Sequence, residues 1–467
     1  MINSLKEFFS TGKTYDLEFR INQLKILKHA LEEFEEDLYS ALFLDLNKSK
    51  EESFLTEIFI VYREIKYFIK NLKKLSKPKR VKVGIENKSG KGFLIPEPYG
   101  VTLIISPWNY PVNLTLTPLV GAIAAGNCAV LKPSEYSENV TKVLEKMITK
   151  YFSEDYIKVV TGDAEISKKL LDQDFDYIFF TGSPGVGKYV MKKASERLIP
   201  VTLELGGKNP TIVDSTCDLE LSAKRIAWGK LLNAGQTCIS PDYLIVEESI
   251  KEQLVERLIK YFEDFQSKMA CIINDRHVKR LKNFLNNTKG RVIFGGKVYE
   301  RKFEPTIVDD VKINDSLMSE EIFGPILPII TFKDEKDIFE IISKNPYPLS
   351  LYVFSNNKAF VKNVINKIQA GGISVNDTIS HFVPESFPFG GIKTSGIGRY
   401  HGRYSFETFS HFKPVFFRGK FEINVKYPPY KGFEKIQKML RKWYLWFWFL
   451  TFYSNLHCYS FSCKYRK

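Results

Sequence analysis

A chain of 467 residues, 44% of them hydrophobic and 26% charged, is long enough to form two or three domains with a sizeable core. This composition is that of a soluble globular protein and argues against disorder or a polytopic membrane protein for the bulk of the chain. The six cysteines are scattered without paired metal-ligand spacing, which argues against a zinc site or a disulfide framework and favours a reducing compartment.

The net charge of +14 is concentrated at the C-terminal end. Residues 411–467 contain 12 Lys or Arg and 2 Asp or Glu, a net +10, so that only +4 remains for residues 1–410. The basicity therefore does not indicate nucleic-acid binding by the body of the protein.

Helices are predicted at the start of the chain. Apolar residues recur at helical spacing over Leu17–Leu38, and a second helical run extends over Glu51–Leu75 before Pro78. Met1–Thr14 lacks the continuous apolar stretch of a signal peptide, which predicts a protein of the cytosol. A glycine-punctuated hairpin is predicted over Val81–Ile95.

Short apolar strands then alternate with helical stretches, as in βαβ units with parallel sheets. The first series of predicted strands is Val101–Ile105, Cys128–Leu131, Ile157–Val160 and Tyr177–Phe180. The second series is Thr211–Val213, Tyr243–Val246, Ile326–Thr331, Leu351–Phe354 and Ile373–Val375. Two α/β units are therefore predicted, with a boundary near residues 204–210 and a ligand site in the cleft between them.

Two residues near that boundary carry the chemistry of covalent catalysis. Cys238 closes the run Asn233–Cys238, and Glu204 precedes two glycines. A free cysteine most often packs as a small hydrophobic residue, and a single glutamate is less informative still. Together, however, they offer a thiolate nucleophile and a carboxylate base that can move toward it.

Polar residues also follow the predicted strands, at the edge where open α/β sheets bind ligands. Asn109 could cap a helix or donate a hydrogen bond to an oxyanion. Lys132 and Glu135 could form a solvated helix start or bind the two hydroxyls of an adenosine ribose.

A glycine-rich turn follows the strand Tyr177–Phe180. Gly182–Lys188 matches the first part of a phosphate-binding P-loop, but Tyr189 stands where such a loop needs Ser or Thr to hold Mg²⁺. An NTPase is therefore not predicted. The turn still opens a helix whose backbone N–H groups could approach a phosphate.

These motifs, in this order, resemble those of NAD(P)-dependent aldehyde dehydrogenases over roughly residues 1–420. Tyr110, the short N-terminus and the YHG element look most like the class 3, fatty-aldehyde type. The motifs are PWNYP (Pro107–Pro111), LKPSE (Leu131–Glu135), FTGSPGVG (Phe180–Gly187), ELGGKNP (Glu204–Pro210), GQTC (Gly235–Cys238), EEIFGP (Glu320–Pro325) and PFGGIKTSGIGRYHG (Pro388–Gly402).

The resemblance implies a role for each site residue. Cys238 is expected to attack the aldehyde, Asn109 to stabilise the oxyanion, and Glu204 to activate the water that hydrolyses the thioester. The residues expected to bind the cofactor are Lys132, Glu135, Gly182, Ser183, Gly187, Glu321 and Phe323. Glu135 favours NAD over NADP, although both remain open, and no metal is expected. Pro184 departs from the family pattern and removes one N–H donor at the diphosphate turn.

The same resemblance implies an α/β fold with two Rossmann-like domains and a small β element for oligomerisation. An NAD(P)-binding domain is expected over residues 1–80 and 100–205, and a catalytic domain over 206–400. Residues 81–99 and 401–420 are expected to form bridging strands of a homodimer.

The C-terminal tail, residues 421–467, is basic and rich in aromatic residues. Trp443–Cys463 contains 21 residues without Asp, Glu, Lys or Arg, and eight of the eleven residues Trp443–Tyr453 are aromatic. The second half is too polar for a clear spanning helix, whereas Trp and Tyr suit the membrane interface. Residues 431–467 are therefore predicted to bind an anionic membrane surface on the cytosolic side. Packing of the tail on the body, or no role, is the alternative.

The predicted function is oxidation of aldehydes, of medium or long aliphatic chain, to carboxylic acids. An acylating enzyme that passes the acyl group to coenzyme A is an alternative, and it would not need a base at Glu204. A catalytically inert membrane-associated scaffold is another, against which the presence of Cys238, Glu204 and Asn109 argues.

Overall fold

The computed structural model describes residues 2–84, 87, 89–420 and 427–444. Its contacts divide the chain into one unit of Met1–Pro78 with Ile95–Lys413 and another of Lys79–Leu94 with Pro414–Lys467. The domain boundaries expected within the larger unit stay a prediction.

The α-helices of the described residues are α1 (Ile2–Ser10), α2 (Leu17–Glu33), α3 (Glu35–Leu46), α4 (Lys50–Ser53), α5 (Phe59–Leu75), α6 (Asn113–Ala125), α7 (Glu138–Tyr151), α8 (Ala164–Leu171), α9 (Pro184–Ser195), α10 (Leu219–Leu231), α11 (Lys251–Phe265), α12 (Asp275–Asn287), α13 (Glu335–Ser343), α14 (Lys358–Lys367) and α15 (Arg403–Thr408). A π-helical turn, Phe54–Ile58, joins α4 to α5.

The β-strands of the described residues are β1 (Lys79–Val81), β2 (Lys91–Pro98), β3 (Val101–Ile105), β4 (Cys128–Lys132), β5 (Ile157–Val159), β6 (Tyr177–Thr181), β7 (Val201–Glu204), β8 (Pro210–Val213), β9 (Tyr243–Glu247), β10 (Arg291–Phe294), β11 (Val298–Tyr299), β12 (Lys302–Phe303), β13 (Thr306–Asp309), β14 (Ile326–Phe332), β15 (Ser350–Phe354), β16 (Gly372–Val375), β17 (Gly396–Ile397) and β18 (Ser410–Phe417).

The first large sheet has the strand order β17-β7-β6-β3-β4-β5. Strands β3 to β7 pair in parallel, and β17 adds antiparallel to β7 with Gly396 opposite Glu204. Every residue of β3, β4 and β6 is buried, as expected for parallel strands covered by helices on both faces. All four strands predicted in this region are present.

The second large sheet has the order β10-β13-β14-β9-β8-β15-β16. Its strands are parallel apart from β10, which runs antiparallel to β13. The five strands predicted here are present, while β10 and β13 were not predicted. The two parallel sheets confirm the predicted α/β class.

A third sheet has the order β1-β2-β18, and β1 pairs antiparallel to β2. The predicted hairpin over Val81–Ile95 therefore corresponds to β1 and β2. These strands extend beyond the predicted range, because β1 begins at Lys79 and β2 ends at Pro98. The expectation of strands over residues 401–420 was only partly right. Arg403–Thr408 is helical, with Ser405 and Phe406 buried, and the strand begins at Ser410.

The described end of the tail contains helical residues 433–444. Within the described residues, no helix combines the length and apolar character needed to cross a bilayer. Most of the aromatic segment on which the membrane prediction depends, residues 445–467, lies outside the described residues.

Candidate active site

Cys238 lies in a tightly constrained loop that follows helix α10. Asn233, Ala234 and Gly235 all have left-handed backbone angles, with φ of 52°, 54° and 73°. Asn and Gly adopt this conformation readily, whereas it strains Ala. A Cβ at Gly235 would lie 2.3 Å from the Gly324 carbonyl oxygen, so only glycine fits there. The strained backbone and the close contact hold the loop before Cys238 in one conformation.

Hydrogen bonds hold the same loop on both sides of Cys238. The Gln236 side chain donates to the Cys271 carbonyl at 3.0 Å and accepts from the Ile273 N–H at 3.0 Å. The Asn209 side chain donates to the Cys238 carbonyl at 2.7 Å. The half-buried thiol is thus held by a rigid backbone, the arrangement that a positioned nucleophile requires.

Asn109 lies beside this loop, as the oxyanion hypothesis requires. Its Nδ2 donates to the Gln236 carbonyl at 3.0 Å, and its own carbonyl accepts from Asn233 Nδ2 at 2.8 Å. Helix α6 begins four residues later with Val112 as its N-cap. The alternative that Asn109 caps that helix was therefore wrong.

Glu204 is the last residue of β7 and is buried, with 3% of its surface exposed. Neither of its carboxylate oxygens has a hydrogen-bond partner in the described part of the chain. Burial raises the pKa of this carboxyl well above its usual range. Burial, together with the charges of Glu321 and Glu204, also raises the pKa of the Cys238 thiol. The structure thus brings Cys238, Glu204 and Glu321 together.

Glu321 contacts the glycines that follow Glu204. A Cβ at Gly206 would lie 2.1 Å from Glu321 Oε2, so the carboxylate occupies space that only a glycine leaves open. Glu321 Oε1 is buried and has no hydrogen-bond partner among the described residues. Burial, then the nearby charge of Asp242, raises its pKa to about 8.

Arg280 holds the loop that carries Glu321, and no local motif indicated this role. Its guanidinium donates to the Glu321 carbonyl at 3.2 Å and to the Ile322 carbonyl at 2.6 Å. Phe323 follows with a φ of 50°, which directs its ring edge-on to Trp108 with the ring centres 5.4 Å apart. Trp108 belongs to the same motif as Asn109, so the two motifs meet here.

Lys132 is the last residue of β4, and Glu135 follows three residues later. Lys132 is almost fully buried, and its Nζ donates to the Pro133 carbonyl at 2.9 Å and lies 3.8 Å from Glu135 Oε2. Burial lowers the pKa of Lys132. Lys132 is therefore not a solvated residue at the start of a helix, which was the alternative role, although Glu135 is exposed.

The glycine-rich turn opens helix α9 with Ser183 as its N-cap, whose Oγ accepts from the Val186 N–H at 3.4 Å. Pro184 occupies the first turn, where a helix does not need the missing N–H. A Cβ at Gly187 would lie 2.6 Å from Leu205, and one at Gly182 would lie 2.6 Å from Phe180. Both glycines therefore permit close packing, whereas Gly185 faces open space.

The groups at Glu321, at Lys132 and at the start of α9 are suited to binding a dinucleotide. The orphaned Glu321 Oε1 can accept from ribose hydroxyls, and the buried Lys132 Nζ has donors left after its one hydrogen bond. The N-terminus of α9, with open space at Gly185, suits a phosphate.

A buried ion pair holds the backbone at Asn109 in place. No motif in the sequence indicated this ion pair. Lys48 Nζ lies 2.7 Å from Glu57 Oε1, and both side chains are fully buried. Lys48 also donates to the Asn109 carbonyl at 3.2 Å. Glu57 Oε2 accepts from the N–H groups of Val112 and Asn113 at 3.1 and 2.9 Å. The pair therefore fixes the backbone that carries the Asn109 side chain.

Replacing Lys48 with methionine is expected to destabilise the protein by about 3–5 kcal/mol, because Glu57 would be left as a buried carboxylate without its cation. The double variant Lys48→Met/Glu57→Gln, which removes both charges, should regain part of that loss. Urea denaturation of both variants measures the difference. Equal stability of single and double variants would contradict this account.

The α/β fold carries the half-buried Cys238 thiol near a buried carboxylate that has no partner among the described residues, together with groups suited to a dinucleotide. This combination is typical of an enzyme that uses covalent catalysis and a dinucleotide cofactor. The aldehyde dehydrogenase family matches residues 1–415. The chain is 44% identical to the 4,4'-diaponeurosporen-aldehyde dehydrogenase of Staphylococcus aureus, covering 94% of this chain and 97% of that protein. It is 43% identical to rat (Rattus norvegicus) aldehyde dehydrogenase family 3 member A2, covering 92% and 90%.

The substrate-bound structure of Staphylococcus aureus AldH superposes with a TM-score of 0.91 at 44% identity, covering 94% of this chain and 98% of that one. The chain belongs to the aldehyde dehydrogenase family. It is an NAD(P)-dependent aldehyde dehydrogenase that oxidises aldehydes to carboxylic acids, as the sequence predicted.

Proposed function

We propose that this enzyme oxidises aliphatic aldehydes of medium and long chain through a thiohemiacetal and a thioester on Cys238. The convergence of Cys238, Asn109 and the unpaired Glu204 carboxylate carries the proposal. In the first half-reaction the Cys238 sulfur, as the thiolate, bonds to the aldehyde carbon as the carbonyl π bond breaks, and the carbonyl oxygen becomes an oxyanion.

The oxyanion is stabilised by Asn109 and by the Cys238 backbone N–H. Asn109 Nδ2 carries two hydrogens, of which one is bonded to the Gln236 carbonyl, so the second is available to the substrate. When bound, NAD or NADP accepts the hydride that leaves the substrate carbon. The residues that would hold this cofactor are Lys132, Glu135, Glu321, Phe323 and the turn Gly182–Gly187.

In the second half-reaction Glu204 removes a proton from water, whose oxygen bonds to the thioester carbon as the carbon–sulfur bond breaks. An acylating enzyme would not need this base. A buried carboxylate without a partner is costly to stability, and its presence therefore supports hydrolysis over transfer to coenzyme A.

The surroundings of the thiol support an apolar substrate. Three buried tyrosines, Tyr110, Tyr352 and Tyr400, have a pKa raised by burial and, in part, by the charge of Cys238 nearby. Cys238 also packs against the apolar cluster that contains Ile379 and Phe389. One relative is named for the aldehyde of 4,4'-diaponeurosporene. A substrate with a long apolar body accords with these features.

Steady-state kinetics with saturated aldehydes from propanal to hexadecanal test the substrate class. The value of kcat/KM should rise with chain length, by up to about tenfold for each pair of added methylenes that become buried. A preference for propanal over all longer aldehydes would contradict the proposal.

The tail, we propose, brings the enzyme to an anionic membrane surface. In the described helical residues 433–444, Phe433, Leu440 and Tyr444 are exposed and line one shallow apolar groove, with Lys435 and Lys438 in the same segment. Full-length protein should sediment with phosphatidylserine vesicles at low salt, and a chain ending at Lys420 should not. Equal sedimentation of both would refute this role.

The homodimer expected from the family also remains a proposal. Exposed Phe416 and Phe417 on β18 support residues 81–99 and 401–420 as the contact between two copies.

A further inference from the structure

Asp242 is a buried carboxylate that follows Cys238 by four residues and bonds to two other loops of the site. Its side chain is 3% exposed, and each of its two oxygens has a partner. Oδ2 lies 2.5 Å from Lys208 Nζ, and Oδ1 accepts from the Ile322 N–H at 3.0 Å. A buried ion pair is often no better for stability than a well-packed apolar pair, so its presence here calls for a functional explanation.

The peptide group between Glu321 and Ile322 is held at both of its polar ends. Its N–H, from Ile322, donates to Asp242 Oδ1, and its C=O, from Glu321, accepts from Arg280 at 3.2 Å. Asp242 and Arg280 thus form a clamp on this peptide group. Because a peptide group is planar and includes the preceding Cα, the clamp constrains the direction in which the Glu321 side chain leaves the backbone.

The peptide group that follows is held as well. Arg280 donates to the Ile322 carbonyl at 2.6 Å, and the Ile322 side chain is fully buried. Phe323 then adopts a φ of 50°, which is strained for a residue with a side chain. Strain of this kind persists only where surrounding contacts impose it. The clamp therefore shapes the loop that carries both Glu321 and Phe323.

Lys208 connects the clamp to the glycines against which Glu321 packs. Lys208 directly follows Gly206 and Gly207, and its side chain is 2% exposed. A Cβ at Gly206 would lie 2.1 Å from Glu321 Oε2. Through Lys208, Asp242 therefore also holds the backbone that the Glu321 carboxylate contacts.

Asp242 is itself anchored to the segment that holds the nucleophile. The Asp242 N–H donates to the Asn209 carbonyl at 2.9 Å, and Asn209 Nδ2 donates to the Cys238 carbonyl at 2.7 Å. The loop of Glu321 is thereby referred to the same backbone as Cys238. Glu321 Oε1, which has no partner among the described residues, is the acceptor left free in this arrangement.

We propose that Asp242 is a positioning residue for cofactor binding, which aims the free Glu321 oxygen at a ribose hydroxyl through the Glu321–Ile322 peptide group. This inference rests on the proposed role of Glu321 toward NAD or NADP. Hydrogen bonds weaken steeply when their angle or length departs from the preferred geometry, so a small rotation of Glu321 is enough to weaken the bond. Asp242 acts only through Glu321 and takes no part in a covalent step.

Asp242→Asn in the full-length enzyme tests this role. The amide replaces one of the two acceptor oxygens with a donor, so it cannot accept from Lys208 and from the Ile322 N–H in the observed geometry. The Kd for NAD, measured by titration calorimetry without aldehyde, should rise about tenfold. The rate at which iodoacetamide alkylates Cys238 should stay at its wild-type value, because Asn209 and Gln236 still hold the nucleophile loop.

Two double variants show whether Asp242 acts through Glu321. Glu321→Ala/Asp242→Asn should bind NAD as weakly as Glu321→Ala alone, since there is no carboxylate left to position. Lys208→Met/Asp242→Asn should bind NAD more tightly than Asp242→Asn, because the amide oxygen is then free to accept from the Ile322 N–H.

Asp309→Asn is the matched control. Asp309 is another buried aspartate paired with a lysine, because its Oδ2 lies 2.9 Å from Lys251 Nζ. Its other ionic partner within the described chain is Arg291, which is also outside the Glu321 loop. The Kd of this variant for NAD should equal that of wild type.

A wild-type Kd for NAD in Asp242→Asn, or additive effects in Glu321→Ala/Asp242→Asn, would overturn the clamp. An equal loss of NAD binding and of Cys238 alkylation would overturn it too, because it would indicate a general loss of structure. If Glu321→Ala binds NAD as tightly as wild type, the cofactor role of Glu321 itself fails. If Glu321→Ala weakens binding and Asp242→Asn does not, only the clamp fails.

Discussion

Cys238→Ser is expected to abolish reduction of the nicotinamide, lowering kcat by about 10³-fold or more. A serine hydroxyl is far less acidic than a thiol, and no described neighbour of position 238 is placed to take its proton through a hydrogen bond. The loop itself should be unaffected, because its hydrogen bonds come from Asn209, Gln236 and the backbone. Absorbance at the wavelength of the reduced cofactor measures the effect.

Cys217→Ser provides the matched control, since Cys217 is another half-buried free cysteine and follows strand β8, outside the candidate site. Its turnover should equal that of wild type. Full activity in Cys238→Ser would show that another group carries the substrate.

Glu204→Gln is expected to give one burst of reduced cofactor per active site and then stall, with a steady-state rate about 10²–10⁴-fold lower. The amide matches the carboxylate in shape but cannot take a proton from water. Because the Glu204 carboxylate forms no ion pair or hydrogen bond with the described residues, the substitution breaks no polar contact of the side chain. Rapid mixing followed by steady-state recording separates the two phases.

The burial of the Glu204 carboxyl predicts how hydrolysis and stability depend on pH in wild type and in Glu204→Gln. Burial raises the pKa of Glu204, and the base works only when ionised, so wild-type hydrolysis should fall as pH falls through that raised pKa. For stability the sign is opposite: a carboxyl with a raised folded pKa costs stability as pH rises above its unfolded value of about 4.3. Glu204→Gln should therefore gain stability over wild type at alkaline pH.

The sequence predicted the sheets well because their strands are fully buried and bounded by turns. Strands β3, β4 and β6 form continuous apolar runs, which cannot be mistaken for solvated segments. Strands β7 and β17 were not predicted because they have only four and two residues, and their positions depend on pairing with distant strands, β7 with β6 and β17 with β7. Helix α15 lies where strands were expected, since its burial depends on distant packing.

The candidate site was predictable only where its residues form local motifs. Asn109, Glu204, Glu321 and Cys238 stand in such motifs, and the structure gathers them. Lys48 could not be predicted, because the carbonyl that it binds lies 61 residues away in the chain. Likewise the contact of Arg280 with Glu321 spans 41 residues. Long-range polar contacts of this kind leave no periodic trace in a single sequence.

The most direct test of covalent catalysis by Cys238 uses Glu204→Gln quenched with acid after one burst in the presence of NAD and a long aldehyde. Mass spectrometry of the peptide that contains Cys238 should show the added mass of one acyl group, held by a thioester that hydroxylamine removes. Wild type quenched in the same way should carry much less of the adduct. An unmodified Cys238 peptide in Glu204→Gln after a full burst, or an acyl group on a different residue, would contradict the mechanism.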